Sequence, residues 1–202
     1  MEPFTCVTGQ AAPMLAANID TDVIMPKKFL KGIDRQGLDR GLFHDIRFLT
    51  DGSPNPEFIL NQPGWQQSSF LVTGPNFGCG SSREHAVWGL QQLGIRALIG
   101  TSFAGIFYDN CQRNGILTIT LAPEVHKLLA DTVSKAEENV ITVDLEAQKI
   151  TLGGGTSLSF QVDELRRSAL MRGLDAIGST LEKESQIKAF QERHLAANPW
   201  LA

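Results

Sequence analysis

Gly74-Pro75-Asn76-Phe77-Gly78-Cys79-Gly80-Ser81-Ser82-Arg83-Glu84-His85 decides how this chain is read. It follows the apolar run Ser69-Phe70-Leu71-Val72-Thr73 and precedes Ala86-Val87-Trp88-Gly89-Leu90, the order of a strand, a glycine loop and a helix. Gly78 and Gly80 allow a tight turn and close approach of backbone to a ligand. Ser81 and Ser82 fall where an N-cap belongs, so free N–H groups are expected to face the occupant of the loop, and an anion suits them. Arg83, expected in the first helical turn, opposes the helix dipole and calls for an anionic partner, for which a substrate carboxylate is the expectation.

Other glycine-loop chemistries fit less well. In Gly78-Cys79-Gly80-Ser81-Ser82-Arg83 an arginine stands where a dinucleotide fingerprint has its third glycine, and the next strand ends in Gly100-Thr101 without a ribose-binding acid. No Gly-Lys-Ser/Thr follows for a Walker loop, and neither serine is at the centre of G-x-S-x-G. A single serine in such a place is far more often a plain cap than a catalyst.

With 202 residues, 42% hydrophobic and 20% charged, the chain suffices for one sizeable core. A net charge of -4 with no basic run argues against a nucleic-acid surface. No apolar run reaches bilayer length and Met1-Glu2-Pro3-Phe4-Thr5 lacks the order of a signal peptide, so no membrane association and a cytoplasmic location are expected. Cys6, Cys79 and Cys111 are an odd number with no C-x-x-C pair, which disfavours a disulfide framework, a zinc site or an iron–sulfur cluster on this chain. Cys79, flanked by glycines before a helix, is a minority candidate for a nucleophile, with no histidine assigned to it by spacing. His44, His126 and His194 are too scattered for a metal site.

Strand, helix, strand, helix, strand is read over 69–73, 83–93, 96–99, 102–115 and 116–121, which implies a parallel β-α-β core with its ligand beyond the strand C-termini. The second of these helices is read as capped by Ser102. A short strand and turn at Thr5–Met14 precede it, then an Asx-rich turn at Asn18–Asp22. Asp20 and Asp22 are read either as turn residues, with Lys27 and Lys28 a solvated pair, or as a carboxylate and a lysine on one loop facing the glycine loop. The stretch Gly32–Asp45 reads as a mobile excursion able to carry selectivity. Alternation over 140–145, 149–152 and 158–162 predicts an antiparallel meander, and two helices, 163–171 and about 182–197, close the chain. One domain over residues 1–202 is expected.

Three stretches in order resemble one family: Asn18-Ile19-Asp20-Thr21-Asp22-Val23-Ile24-Met25-Pro26-Lys27-Lys28-Phe29-Leu30, Asn76 to Ala86, and Ser102-Phe103-Ala104-Gly105-Ile106-Phe107-Tyr108-Asp109-Asn110-Cys111 with Asn114-Gly115-Ile116-Leu117. They are similar to the small subunit of 3-isopropylmalate dehydratase, the counterpart of the swivelling fourth domain of aconitase. The departures are Val87 and Gly89, where the bacterial pattern more often has proline and alanine, and Gly105, where it often has aspartate. The resemblance implies an α/β swivelling β/β/α domain with an antiparallel meander and C-terminal helices. It also implies a hydro-lyase interconverting 2- and 3-isopropylmalate in leucine biosynthesis, active with a large subunit that holds the [4Fe-4S] cluster, this chain binding no cofactor.

By the same resemblance Ser81 is the base, Arg83 binds a carboxylate of a small dicarboxylic acid, and Gly80 and Ser82 shape the oxyanion-binding backbone. Lys28 or its neighbour Lys27 adds a carboxylate contact, and Asp22 orients the serine loop. The alternatives are a related hydro-lyase small subunit acting on homoaconitate or dimethylmalate, and a non-catalytic anion-binding α/β module.

Overall fold

Seven strands make one sheet in the order β4-β3-β2-β1-β5-β6-β7. They are β1 (Cys6–Met14), β2 (Ser68–Thr73), β3 (Ala97–Gly100), β4 (Leu117–Thr120), β5 (Val140–Asp144), β6 (Lys149–Leu152) and β7 (Ser157–Ser159). The structure, a computed structural model, describes residues 1–31 and 35–201. β1 to β4 pair in parallel, and β5, β6 and β7 extend the other edge antiparallel. The fold is the α/β arrangement expected, a parallel core beside a meander.

Alternation along the strands explains why both faces of the parallel half are covered. In β2, Phe70 and Val72 join a core cluster with Ala97, Ile99, Leu117 and Ile119, while Leu71 and Leu98 point into the opposite cluster. Helices α3 (Glu84–Gln92) and α4 (Gly105–Asn114) close the second face through Ala86, Val87, Leu90, Phe107 and Cys111. Helices α5 (Pro123–Val133) and α6 (Glu164–Arg172) close the first through Leu129, Val133 and Leu170. The meander's inward residues Ile141, Val143, Ile150, Leu152 and Leu158 all belong to this first cluster, so that half of the sheet is covered on one face, as antiparallel sheets often are.

Several boundaries differ from expectation for identifiable reasons. β1 is one nine-residue strand rather than a strand and a turn, and Pro13 lies inside it. The N–H of Ala11 donates to the Asn139 carbonyl on the β5 side; Pro13, two residues on, faces that same side past the end of β5, where no ladder bond is forfeited. The excursion read at 32–45 is instead packed where it is described: Leu38 is 6% exposed and Leu42 and Phe43 are fully buried. Residues 32–34 of that reading lie outside the described residues. Two short α-helical turns, α1 (Thr21–Ile24) and α2 (His44–Arg47), punctuate this N-terminal region. Gly89 has a packing cause, since a Cβ there would stand 2.6 Å from the Met25 methyl.

At the C-terminus α8 (Glu184–Ala197) is the closing helix expected at about 182–197, the short helix α7 (Ala176–Leu181) stands before it where none was expected, and Pro199–Leu201 forms a 3-10 turn.

Candidate active site

Loops that follow β1, β2 and β3 meet at the C-terminal edge of the parallel strands. Their pairing continues past the sheet as isolated parallel bridges, Asp20 with Cys79 and Phe77 with Phe103. The N–H of Gly78 donates to the Ile19 carbonyl and that of Thr21 to the Cys79 carbonyl, both at 2.8 Å, so the glycine loop is fixed against the first loop by backbone bonds. Ser102 does not cap a helix as expected. Its hydroxyl accepts from the N–H of Asn76 at 2.9 Å, and α4 starts later, behind Ala104.

Within the glycine loop Gly78 has φ +78 and Gly80 φ +90, both in the left-handed region that favours glycine. Gly78 has a second reason, because a Cβ would lie 2.2 Å from the Phe107 ring. The helix begins at Glu84, close to the start expected, but its cap differs. The cap position belongs to Arg83, in extended backbone with no side-chain cap, and not to either serine. Ser81 and Ser82 are exposed, and their hydroxyls make no hydrogen bond among the described residues. The Ser81 carbonyl accepts from the Thr21 hydroxyl at 2.7 Å, which holds the loop while leaving the Ser81 hydroxyl free.

Arg83 is 7% exposed, and its location removes the conflict with the helix dipole. The side chain runs back to α1, donating through Nη1 to the Met25 carbonyl at 3.1 Å, at the C-terminal end of that turn, where a cation is favourable. Nη1 also stands 2.6 Å from the Asp22 carboxylate. The hydrogen bond and charge of Arg83, with a smaller contribution from Lys27, hold the Asp22 carboxyl below the usual carboxylate range. Thus the chain itself supplies an anionic partner for Arg83, where sequence reasoning looked only to a substrate.

Ser81, Ser82, Arg83 and Gly80 line one pocket of about 140 Å³ together with Thr21, Gly78 and the first turn of α4, Gly105 to Phe107. Those α4 residues were not singled out from sequence. Their N–H groups sit at a helix start with no side-chain cap, and therefore offer donors to an anion. The signal that could have found them is topological: adjacent parallel strands deliver their C-terminal loops to one place, and the loop after β3 ends in a bare Ala104-Gly105. A larger hollow of about 360 Å³ between α4 and α6, beside Arg166, contains none of the glycine-loop residues.

Lys28 is not brought to this pocket; its ammonium pairs with Asp45 at 2.8 Å, both groups exposed. Lys27 is the neighbour within electrostatic reach of Asp22. Asp20 takes the turn role, its carboxylate accepting from the Val23 N–H at 2.8 Å to cap α1. Cys79 is half-buried with its sulfur 3.4 Å from the Asn18 carbonyl, facing an acceptor and no base.

An iron–sulfur cluster does not fit the cysteines of this chain. Cys6 is exposed on β1, Cys79 sits in the loop and Cys111 is buried on α4, and among the described residues no three His, Cys, Asp or Glu side chains gather to hold a metal. Burial pushes the Cys111 thiol well above its ordinary pKa, away from the thiolate that ligation needs.

Residues 1–124 match the Aconitase C-terminal domain model, residues 127–164 a LeuD_N model, and residues 177–202 the model for the C-terminal domain of the 3-isopropylmalate dehydratase small subunit. The 3-isopropylmalate dehydratase small subunit 1 of Mannheimia succiniciproducens is 62% identical over 201 residues, spanning 100% of this chain and 99% of the relative. The chain belongs to the 3-isopropylmalate dehydratase small-subunit family. The small subunit 2 of Salmonella typhimurium is 58% identical over 100% of this chain and 96% of its own length. The small subunit of Agrobacterium fabrum is 50% identical over 99% of this chain and 100% of its own. A solved 3-isopropylmalate dehydratase structure from Methanocaldococcus jannaschii superposes with a TM-score of 0.68 at 26% identity, covering 93% of this chain and 99% of that one.

Proposed function

We propose that this chain is the small subunit of a 3-isopropylmalate dehydratase, a hydro-lyase of leucine biosynthesis, and that it contributes the proton-transfer and carboxylate-binding half of the active site. The observation that carries the site assignment is the convergence of two free serine hydroxyls, a preset guanidinium and an uncapped helix start on one pocket.

Elimination of water beside a carboxylate removes a carbon-bound proton and loads a second negative charge onto an anionic group, so donors must already be aimed at it. Arg83 meets that need. Asp22 and the Met25 carbonyl both engage Nη1, which leaves the edge formed by Nε and Nη2 for bidentate contact with a substrate carboxylate. Asp22 therefore acts by positioning Arg83 rather than by touching the serines. Ser81 takes the proton from carbon and returns it to the neighbouring carbon on rehydration. Ser82, Gly80 and the α4 N–H groups stabilise both the serine alkoxide and the developing charge. Lys27, rather than Lys28, is the lysine disposed to add to the field of this site. The cluster chemistry that assists departure of hydroxide is assigned on this reading to the large subunit, in keeping with three cysteines that stand apart on this chain. A single domain over residues 1–202 and a cytoplasmic location accord with this reading, the first because one sheet takes strands from both halves of the chain.

The test is to purify the chain with its large subunit and assay both isopropylmalate isomers against citrate and homoaconitate. Isomerisation of the isopropylmalates, dependent on both chains and reduced about a hundredfold or more in Ser81→Ala, is expected. Preference for homoaconitate would redirect the substrate assignment. Turnover unchanged in Ser81→Ala, or isomerisation by this chain alone, would refute the site.

A further inference from the structure

Beyond Leu170 the chain changes character: from Met171 to Leu201 no residue is buried. Large apolar side chains are nevertheless there. Ile177 and Leu181, one turn apart on α7, are 71% and 59% exposed; Ile187 and Phe190 on α8 are 45% and 58% exposed; Trp200 in the terminal turn is 76% exposed. α8 runs for 14 residues without burying one of them. A helix of that length is marginal in water unless tertiary packing covers an apolar face, and exposed Phe and Trp are the side chains that anchor protein interfaces.

We propose that this C-terminal α7–α8 face docks the large subunit and holds the two chains together. The inference rests on the reading of the chain as a dehydratase small subunit, and three observations select that occupant. The match to the aconitase domain covers 1–124, whereas 177–202 match a model particular to the small subunit, so the exposed helices accompany the form in which this domain is a separate chain. A domain at the C-terminus of a longer polypeptide is held by its chain; a free subunit needs a holdfast. No residue of α7 or α8 lines the serine pocket, so the docking face and the pocket are separate sets of residues. Finally, the charges around the face alternate, with Lys188 paired to Glu184 at 2.6 Å and Glu192 beside Arg193, a pattern suited to a protein rim and lacking the basic excess a lipid surface would select.

The test uses the full-length chain and its purified large subunit, with Ile187→Glu/Phe190→Glu and, separately, Trp200→Ala. Thermal unfolding of the isolated variants should stay close to the parent, because none of these side chains is buried in the body of the chain and the ring contact of Phe190, stacked on His194, lies within α8 itself. Affinity for the large subunit should fall about tenfold or more, with isomerisation regained when the variant is added in excess. Equal binding by parent and variants, with isomerisation intact, would overturn the docking surface and leave the functional reading standing. A parent chain that neither binds the large subunit nor supports isomerisation would instead overturn that reading itself. Loss of thermal stability in the isolated variants would show the face packing on its own body, and a parent homodimer split by the double variant with large-subunit affinity unchanged would assign it to a second copy; each overturns the proposal.

Discussion

Gly78→Ala should cost more than the same methyl group added at Gly80 of the glycine loop. Two terms act at once. The left-handed backbone at φ +78 disfavours an L side chain by about 1–2 kcal/mol, and the new Cβ would sit 2.2 Å from Cγ and 2.3 Å from Cδ1 of Phe107. Phe107 cannot swing clear easily, being 3% exposed and packed edge-on against Phe77 with ring centroids 5.6 Å apart; overpacking at such a place costs about 1–3 kcal/mol. Together they make a loss of about 2–5 kcal/mol from a total stability on the order of 5–15 kcal/mol. Gly80→Ala is the control, because its φ of +90 carries the same kind of strain while the nearest atom to a Cβ, that of Asp20, is 3.4 Å away. Urea unfolding of both variants at unchanged m-value measures the difference, which isolates the clash with Phe107. Adding Phe107→Leu to Gly78→Ala should recover part of the loss, a coupling absent with Gly80→Ala. If Gly78→Ala proved no more costly than Gly80→Ala, the loop would not lie against α4 as described.

Arg83→Lys should lower turnover of the two-chain enzyme about ten- to a hundredfold, since one ammonium cannot keep the contacts to Asp22 and Met25 and also grip a carboxylate by two parallel bonds; unchanged kcat/KM would sink the edge-on binding of substrate. Asp22 and Asp45 have folded-state pKa values lowered by Arg83 and by Lys28, so their contribution to stability is fully present above about pH 4 to 5 and is lost as pH falls through the lowered values. Unfolding free energy should therefore be flat with respect to these groups near neutrality and drop in acid, and Asp22→Asn combined with Asp45→Asn should flatten that drop. Thiol labelling of the native chain should modify exposed Cys6 quickly and buried Cys111 only after denaturant is added; rapid native labelling at Cys111 would contradict its place on the buried face of α4.

Where order was legible in the residues, local pattern and burial coincide. Phe70, Leu71 and Val72 are all apolar because β2 is covered on both faces, and the alternation of Ile141 with Val143 and of Ile150 with Leu152 marks strands covered on one. The glycine loop was legible because left-handed turns demand glycine. What escaped was set by residues distant in sequence. Leu38, Leu42 and Phe43 look like part of a glycine- and aspartate-rich excursion, yet they are core, and nothing local announces the partners that bury them. Pro13 reads as a break, and is tolerated only because β5 ends before reaching it. Arg83 and Asp22 lie far apart along the chain, so their pairing could not be read from spacing, and neither could the cap position falling to Arg83 instead of a serine.

On the proposed function, the small chain carries a preset guanidinium and lacks a surface that closes over its serines. Arg83 is held by protein groups before any ligand arrives, so no ordering of that guanidinium is needed at the moment of reaction. The serine hydroxyls, by contrast, stand exposed, where water would hold a hydroxyl at its ordinary basicity and screen the field of Arg83. A pocket of about 140 Å³ is also smaller than a usual ligand cleft of roughly 300–1,000 Å³. One remedy serves all three: a second surface that closes over Ser81 and Ser82 enlarges the cleft, removes the water and raises the effective charge of the site. If association through the C-terminal helices and closure over the serines are separate events, weakening the first should alter how much of the large partner is needed while leaving the saturated rate unchanged. Substitutions at Ser81 or Arg83 should do the reverse.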